Sequence, residues 1–266
     1  MSKGITINLC GGLGNQMFII AAMLELSIKQ GIPYYLPRLD NSPSITRRDT
    51  YWSTVFHRLK LYEPQEIPVS TLRLKENNPN QVNVFPDNIN EMAILEGYFQ
   101  SSKYFSKEIA LLFSLPEKEQ KRVDNLWNSV SDGSSVINFI HVRRGDYLHL
   151  QHFHFVLSIE WYKKCLKHFS DNDCFLIFSD DPEWCKENFG FIKNKKFISD
   201  DDYIELFLMS RCDGAIISNS TFSWWGAKLG KNKKIVAPDV WYRDMFQQKG
   251  MRNELDWIEE TISIGN

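Results

Sequence analysis

The sequence predicts an α/β protein built from two Rossmann-type lobes facing a central cleft. Three features carry this expectation. Strands and helices alternate regularly from residue 136 onward, a separate strand–glycine turn–helix unit opens the chain, and a linker-like stretch, Ser131-Asp132-Gly133-Ser134-Ser135, lies between. Short apolar runs alternating with helical periodicity imply parallel sheets wound on both faces. The lobes are therefore set at 1–133 and 134–266.

In the first lobe, residues 5–10 read as a buried strand, Gly11 to Gln16 as a turn, and 17–30 as a helix stopped by Gly31. Residues 34–36, between Pro33 and Pro37, form a short strand. The stretch 40–86 is irregular except for a helix around 52–59. A strand at 93–95 and helices at 102–112 and 117–130 complete the lobe. In the second lobe, strands fall at 136–142, 175–178, 196–198, 215–217 and 234–237. The helices between them fall at 159–169, 182–189, 203–210 and 222–229. Ser158 and Asp181 are placed as N-caps, Pro182 at a first helical position and Gly230 at a helix end.

The 266 residues suit two domains, and 43% hydrophobic with 24% charged residues is a globular balance. A net charge of −2 excludes a general nucleic-acid binder, which needs a basic surface. Five cysteines, without a CxxC pair, indicate neither a disulfide framework nor a zinc site. Met1-Ser2-Lys3-Gly4 runs straight into a strand pattern, and no apolar stretch is long enough for a bilayer. A cytoplasmic protein is expected, and weak peripheral attachment at the inner membrane face is compatible with this.

In open α/β sheets, ligands sit beyond the carboxyl ends of the strands, so residues following strands are the candidates. Gly11-Gly12-Leu13-Gly14-Asn15-Gln16 is neither a dinucleotide fingerprint nor a P-loop. Gly12 and Gly14 fit either a tight strand–helix turn or a close approach to a ligand, and the polar Asn15-Gln16 pair favours a substrate contact. His141-Val142-Arg143-Arg144-Gly145-Asp146-Tyr147 brings two guanidiniums to a strand end. They fit a diphosphate seat, since an Arg fork matches phosphate oxygens, or an internal salt-bridge cluster. On extended chain Arg143 and Arg144 point oppositely, with His141 on the side of Arg143.

Asp180, in Ser179-Asp180-Asp181-Pro182, can accept from a base or ribose while Asp181 caps a helix. Asp200, Asp201 and Asp202 look like a metal motif, but Asp202 and Glu205 have capping-box spacing and read as structural. Asn219, Ser220 and Thr221, where a strand gives way to a helix, join hydroxyls to free helix amides and can hold an anion. His149, His152 and His154 share a loop but have no zinc-motif spacing.

Four segments together resemble the bacterial α-1,2-fucosyltransferases of glycosyltransferase family 11. They are Gly11 to Phe18, Glu96-Gly97-Tyr98-Phe99-Gln100-Ser101, His141 to Tyr147, and Ser218 to Ala227. They occur in family order across about residues 4–240, and the pattern departs at Gly214, where many relatives carry His. The resemblance implies a GT-B fold, with an acceptor-side first lobe and a GDP-fucose-binding second lobe. It implies inverting, metal-independent transfer of L-fucose to the 2-hydroxyl of a terminal β-galactoside in a glycan of surface-polysaccharide or O-antigen type. No cofactor is implied beyond the GDP-L-fucose donor.

It also implies that Arg143 binds the diphosphate with His141 near the donor. Asp180 resembles a guanine-reading acid, Ser220 and Thr221 phosphate-binding hydroxyls, and Asn15 the asparagine near the reacting sugar. Asp146 or His141 is the nearest candidate for a general base. A different fucosyl linkage, a non-catalytic nucleotide- or glycan-binding protein, and a metal-dependent GT-A enzyme using Asp200 to Asp202 stay open.

Overall fold

The computed structural model describes residues 3–36, 41–42, 48–59, 71–77, 82–131, 133, 136–230, 234–242 and 261–265. Two compact units divide between Glu117 and Lys118.

The first unit is organised by strand β1 (Gly4–Ile7) and helix α1 (Leu13–Gln30). Strand β2 is Tyr34–Tyr35, β3 (Asn41–Ser42) and β4 (Arg48–Asp49) form an antiparallel pair, β5 is Leu72–Lys75 and β6 is Met92–Glu96. The sheet order is β2-β1-β6-β5, with every pair parallel. Helix α1 begins four residues earlier than its apolar run suggested, because Leu13, Gly14 and Gln16 are themselves buried. Phe18, Ile19 and Ile20 are almost wholly buried. Truncating Phe18 to Ala would cost about 3–5 kcal/mol. Gly31, at φ +60°, ends the helix, and Ile32 donates its N–H to Ser27 O at 3.2 Å, a Schellman closure.

Two expected helices differ. Residues 52–59 form successive hydrogen-bonded turns, and 102–112 breaks into a 3₁₀ turn (Ser102–Tyr104) and the short α2 (Lys107–Ala110). Ser101 and Ser106 each start a new segment from extended backbone, so one continuous helix does not form.

The second unit contains α3 (Glu117–Val130) almost entirely. Composition assigned this helix to the first lobe, but the contacts tie it to the second unit. Arg122 pairs with Asp200 at 2.8 Å and Asp201 at 3.0 Å, and Arg211 pairs with Asp124.

The alternation then runs β7 (Ile137–Val142), α4 (Ile159–Leu166), β8 (Cys174–Ser179), α5 (Pro182–Asn188), β9 (Lys195–Ile198), α6 (Asp202–Met209), β10 (Gly214–Ile216), α7 (Thr221–Leu229) and β11 (Lys234–Pro238). The last strand, β12 (Thr261–Ile264), was not foreseen. The order β9-β8-β7-β10-β11-β12 is wholly parallel. Numbered from β7, it is the Rossmann order 3-2-1-4-5-6. Ile140, Val142 and Ile177 pack with Trp161, Tyr162 and Cys185 on the α4/α5 face, while His141 meets Phe222 of α7 on the other.

Candidate active site

The order of the second sheet reverses between β7 and β10, and the carboxyl ends of strands at such a switch point are where open α/β sheets bind ligands. The segments following those strands are His141 to Tyr147 and Ser218 to Thr221, so the topology brings together residues about 75 positions apart. Their first link is direct. His141 Nδ1 lies 2.7 Å from Ser218 Oγ, and the imidazole is 5% exposed. Burial, with the Arg143 charge second, pushes the His141 pKa down to about 3, so the ring is neutral at pH 7.

Arg143 carries both halves of the reading that the sequence left open. Its Nη2 donates to Asp146 Oδ1 at 2.6 Å, and its Nη1 lies 2.8 Å from Asp180 Oδ2. Its guanidinium also sits 5.2 Å from the centre of the Tyr147 ring. The fork is thus held by two carboxylates at the switch point. Arg144 turns away, as strand alternation requires. It donates Nε to Asp181 Oδ2 at 3.0 Å and stacks 3.9 Å above the Trp184 ring. Asp180 accepts the Arg144 N–H at 2.8 Å on its other oxygen. A Cβ at Gly145 would come within 2.5 Å of Asp180 Oδ2, so glycine lets the chain close over this carboxylate. Asp181 caps α5 through the Trp184 N–H at 3.3 Å, as expected from sequence.

Ser220 is the N-cap of α7 and accepts the Phe222 N–H at 3.4 Å, with Thr221 the first helical residue. The segment leading into this helix meets the Arg143 segment through the His141–Ser218 contact. Asn219 is turned inward at 1% exposure, donating to Phe155 O at 3.2 Å and Trp241 O at 3.1 Å. It acts as a clamp on two loops. Tyr147 contributes what sequence reasoning missed. Its hydroxyl donates to Asn219 O at 2.9 Å, and its ring stacks on His154 at 4.0 Å and 4°. Burial raises its pKa, so the phenol stays protonated. The only advance sign of this role was an aromatic three residues after the second of two arginines.

The histidine loop holds no metal-ligand arrangement, and among the described residues no group of three or more His, Cys, Asp or Glu could hold a metal ion. Asp200 and Asp201 face Arg122 instead. The cap of α6 falls one residue earlier than expected, at Asp201, because Glu205 reaches back to the Asp200 N–H at 3.0 Å. Gly214 begins β10, at the opposite edge of the sheet, where a Cβ would come within 2.5 Å of Asn138 Oδ1. The departure there is a matter of packing.

The first unit has its own switch point, between β1 and β6. Gly11 adopts φ +78° and Gly12 is the N-cap of α1, whose second residue is the buried Gly14. Asn15 accepts from Gln100 Nε2 at 3.0 Å. Its partner in sequence, Gln16, is wholly buried and donates to Gly11 O at 3.0 Å and Asp49 O at 2.7 Å, so it braces the loop rather than facing a substrate. Among the described residues no helix is long and apolar enough to cross a membrane.

Comparison with known proteins matches the profile described as glycosyl transferase family 11 over residues 75–261. The chain is 30% identical to the O-antigen biosynthesis glycosyltransferase WbnK of Escherichia coli, covering 88% of this chain and 93% of that protein. It is 27% identical to an alpha-1,2-colitosyltransferase of Escherichia coli, covering 90% and 92%. Among solved structures it resembles the NodZ alpha-1,6-fucosyltransferase soaked with GDP-fucose, with TM-score 0.56 and 13% identity over 90% of this chain and 95% of that one. That likeness shows the fold, which is of the GT-B type. Since the family profile spans most of the chain and both bacterial relatives align nearly end to end, the chain belongs to glycosyl transferase family 11 and is a glycosyltransferase.

Proposed function

We propose that this protein transfers L-fucose from GDP-L-fucose to the 2-hydroxyl of a terminal β-galactoside, with inversion and without a metal. The observation that carries the reading is the switch point between β7 and β10, where the His141–Ser218 contact and the Tyr147–Asn219 hydrogen bond join the Arg143 segment to the residues that lead into α7. A guanidinium and free helix amides are suited to a diphosphate. The motifs shared with α-1,2-fucosyltransferases and the GDP-fucose bound by the NodZ structure support the donor. The α-1,2 linkage named for the colitosyl relative supports the acceptor hydroxyl.

In this reading the second unit binds the donor and the first unit the acceptor. Charge grows on the departing GDP as the glycosidic bond breaks. Arg143, the Ser220 and Thr221 hydroxyls and the α7 amides stabilise it by fixed electrostatics, each donor contributing roughly a hundred- to a thousandfold in rate. Asp180 and Asp146 hold the Arg143 fork until the diphosphate displaces Asp146, and Asp180 reads the guanine edge. His141, neutral and fixed by Ser218, with Asn219 behind it, shapes the donor seat from below. On the acceptor side, Gly12 and Gly14 let the loop after β1 approach a sugar, and Asn15 contacts it. The acceptor hydroxyl attacks from the opposite face. A transition state of oxocarbenium character needs little deprotonation, so Asp146 serves Arg143 more than the acceptor.

The test is incubation with GDP-fucose and a panel of β-galactosides, with and without EDTA, followed by linkage analysis of the product. An α-1,2-fucosylated galactoside formed in EDTA is expected. GDP binding without turnover on any acceptor would mark a binding protein instead. The colitosyl relative favours one second reading, a 3,6-dideoxyhexose donor, and the same panel run with GDP-colitose decides between them.

A further inference from the structure

The segment Glu96-Gly97-Tyr98-Phe99-Gln100-Ser101 follows β6 at the switch point of the first sheet, and the donor chemistry leaves it unused. Its backbone is strained. Phe99, a bulky residue, adopts φ +50°, and Gly97 adopts φ +157°. Such conformations persist where surroundings over-determine them, and they gather at ligand sites. The surroundings here are explicit. Glu76 Oε2 accepts both the Tyr98 N–H at 2.8 Å and the Phe99 N–H at 3.1 Å. Gly97 makes room for that carboxylate, since a Cβ there would fall 2.4 Å from Glu76 Cβ. The Phe99 ring is fully buried against Tyr104 at 5.3 Å.

The product of this bracing is Tyr98. With Phe99 locked inward, Tyr98 is turned out and is 46% exposed. Its hydroxyl is coupled to the Cys10 thiol on the loop after β1, which places the ring beside the β1/β6 switch point. Beyond it, Gln100 Nε2 donates to Asn15 Oδ1 at 3.0 Å. An exposed aromatic face beside uncharged amides is the chemistry that receives a hexose, whose C–H face stacks while its hydroxyls find amides.

We propose that Tyr98 is the stacking platform for the acceptor galactoside, with the Gln100–Asn15 amide pair recognising its hydroxyls. This rests on the glycosyl-transfer reading above and names the acceptor subsite within it.

Tyr98→Ala and Tyr98→Leu, with Tyr98→Phe as the aromatic control, are compared in two assays. In transfer assays, the Ala and Leu variants should raise the acceptor KM by about tenfold or more, leaving the KM for GDP-fucose and acceptor-independent donor hydrolysis unchanged. The Phe variant should stay near wild type, and all should keep the wild-type melting temperature within a few degrees. In saturation-transfer NMR with lactose and no donor, the Leu variant should lose the galactose signal that the wild type shows. Unchanged acceptor KM in Tyr98→Leu, retained lactose signal in that variant, or no lactose signal in the wild type would overturn the platform. Loss of lactose signal alongside a wild type inert toward GDP-fucose would instead overturn the donor reading and leave the platform standing.

Discussion

His141 and Ser218 meet across the switch point of the second sheet, Nδ1 to Oγ at 2.7 Å, and this contact joins the ends of β7 and β10. Both side chains are buried, so removing one partner leaves a desolvated polar atom. Ser218→Ala should therefore cost about 1–3 kcal/mol in unfolding free energy. Urea denaturation of the two proteins measures it, and an unchanged midpoint would show that the contact contributes nothing.

The same imidazole makes stability pH-dependent. Its folded pKa, about 3, lies below the unfolded value near 6.5, so the unfolded chain takes up the proton first. Stability from this group is complete above pH 6.5 and falls by about 1.4 kcal/mol per pH unit on acidification toward pH 3. Glu205, pushed up to about 8 mainly by burial, acts in the opposite sense between pH 4.5 and 8. The wild type must therefore be compared with His141→Asn at each pH. The gap between the two should narrow from pH 7 to pH 5, and a constant gap would falsify the assignment.

Arg143 faces two carboxylates, and its replacements separate charge from geometry. Arg143→Lys keeps the charge but loses the fork, and transfer should fall by roughly a hundred- to a thousandfold. Asp146→Asn removes a competitor for the fork. GDP should then bind about fivefold more tightly by calorimetry, with kcat kept within a few-fold. A collapse of kcat with unchanged GDP affinity would instead make Asp146 the base.

Gly11 is needed twice over. Its φ of +78° disfavours a side chain, and a Cβ would fall 2.5 Å from Asn15 Nδ2. Gly11→Ala should cost about 1–2 kcal/mol of stability for the backbone alone, and the displaced Asn15 should lower kcat further than the lost stability accounts for. Thermal melting and initial rates on the same preparation test both halves.

The second sheet was legible because each of β7 to β11 pairs a short apolar run with a helix whose caps are written locally, as in Asp181-Pro182 and Ser220. What escaped notice depends on distant partners. Strand β5, Leu-Arg-Leu-Lys, is half exposed and is made a strand by β6. Gln16 looks like a ligand contact until Asp49 O is found 2.7 Å away. The Arg143 cluster was named residue by residue. Its two-carboxylate grip was not, because Asp180 arrives from another strand.

Strand β12 pairs with β11, and Ile264 O accepts the Trp161 indole N–H at 3.0 Å from the far side of the sequence. During synthesis the first unit can close its sheet once β6 has left the ribosome, but the second must wait for β12. Until then Trp161 lacks that acceptor and β11 presents a bare edge, so the nascent chain passes through an interval in which the second unit is open to mispairing while the first is already built.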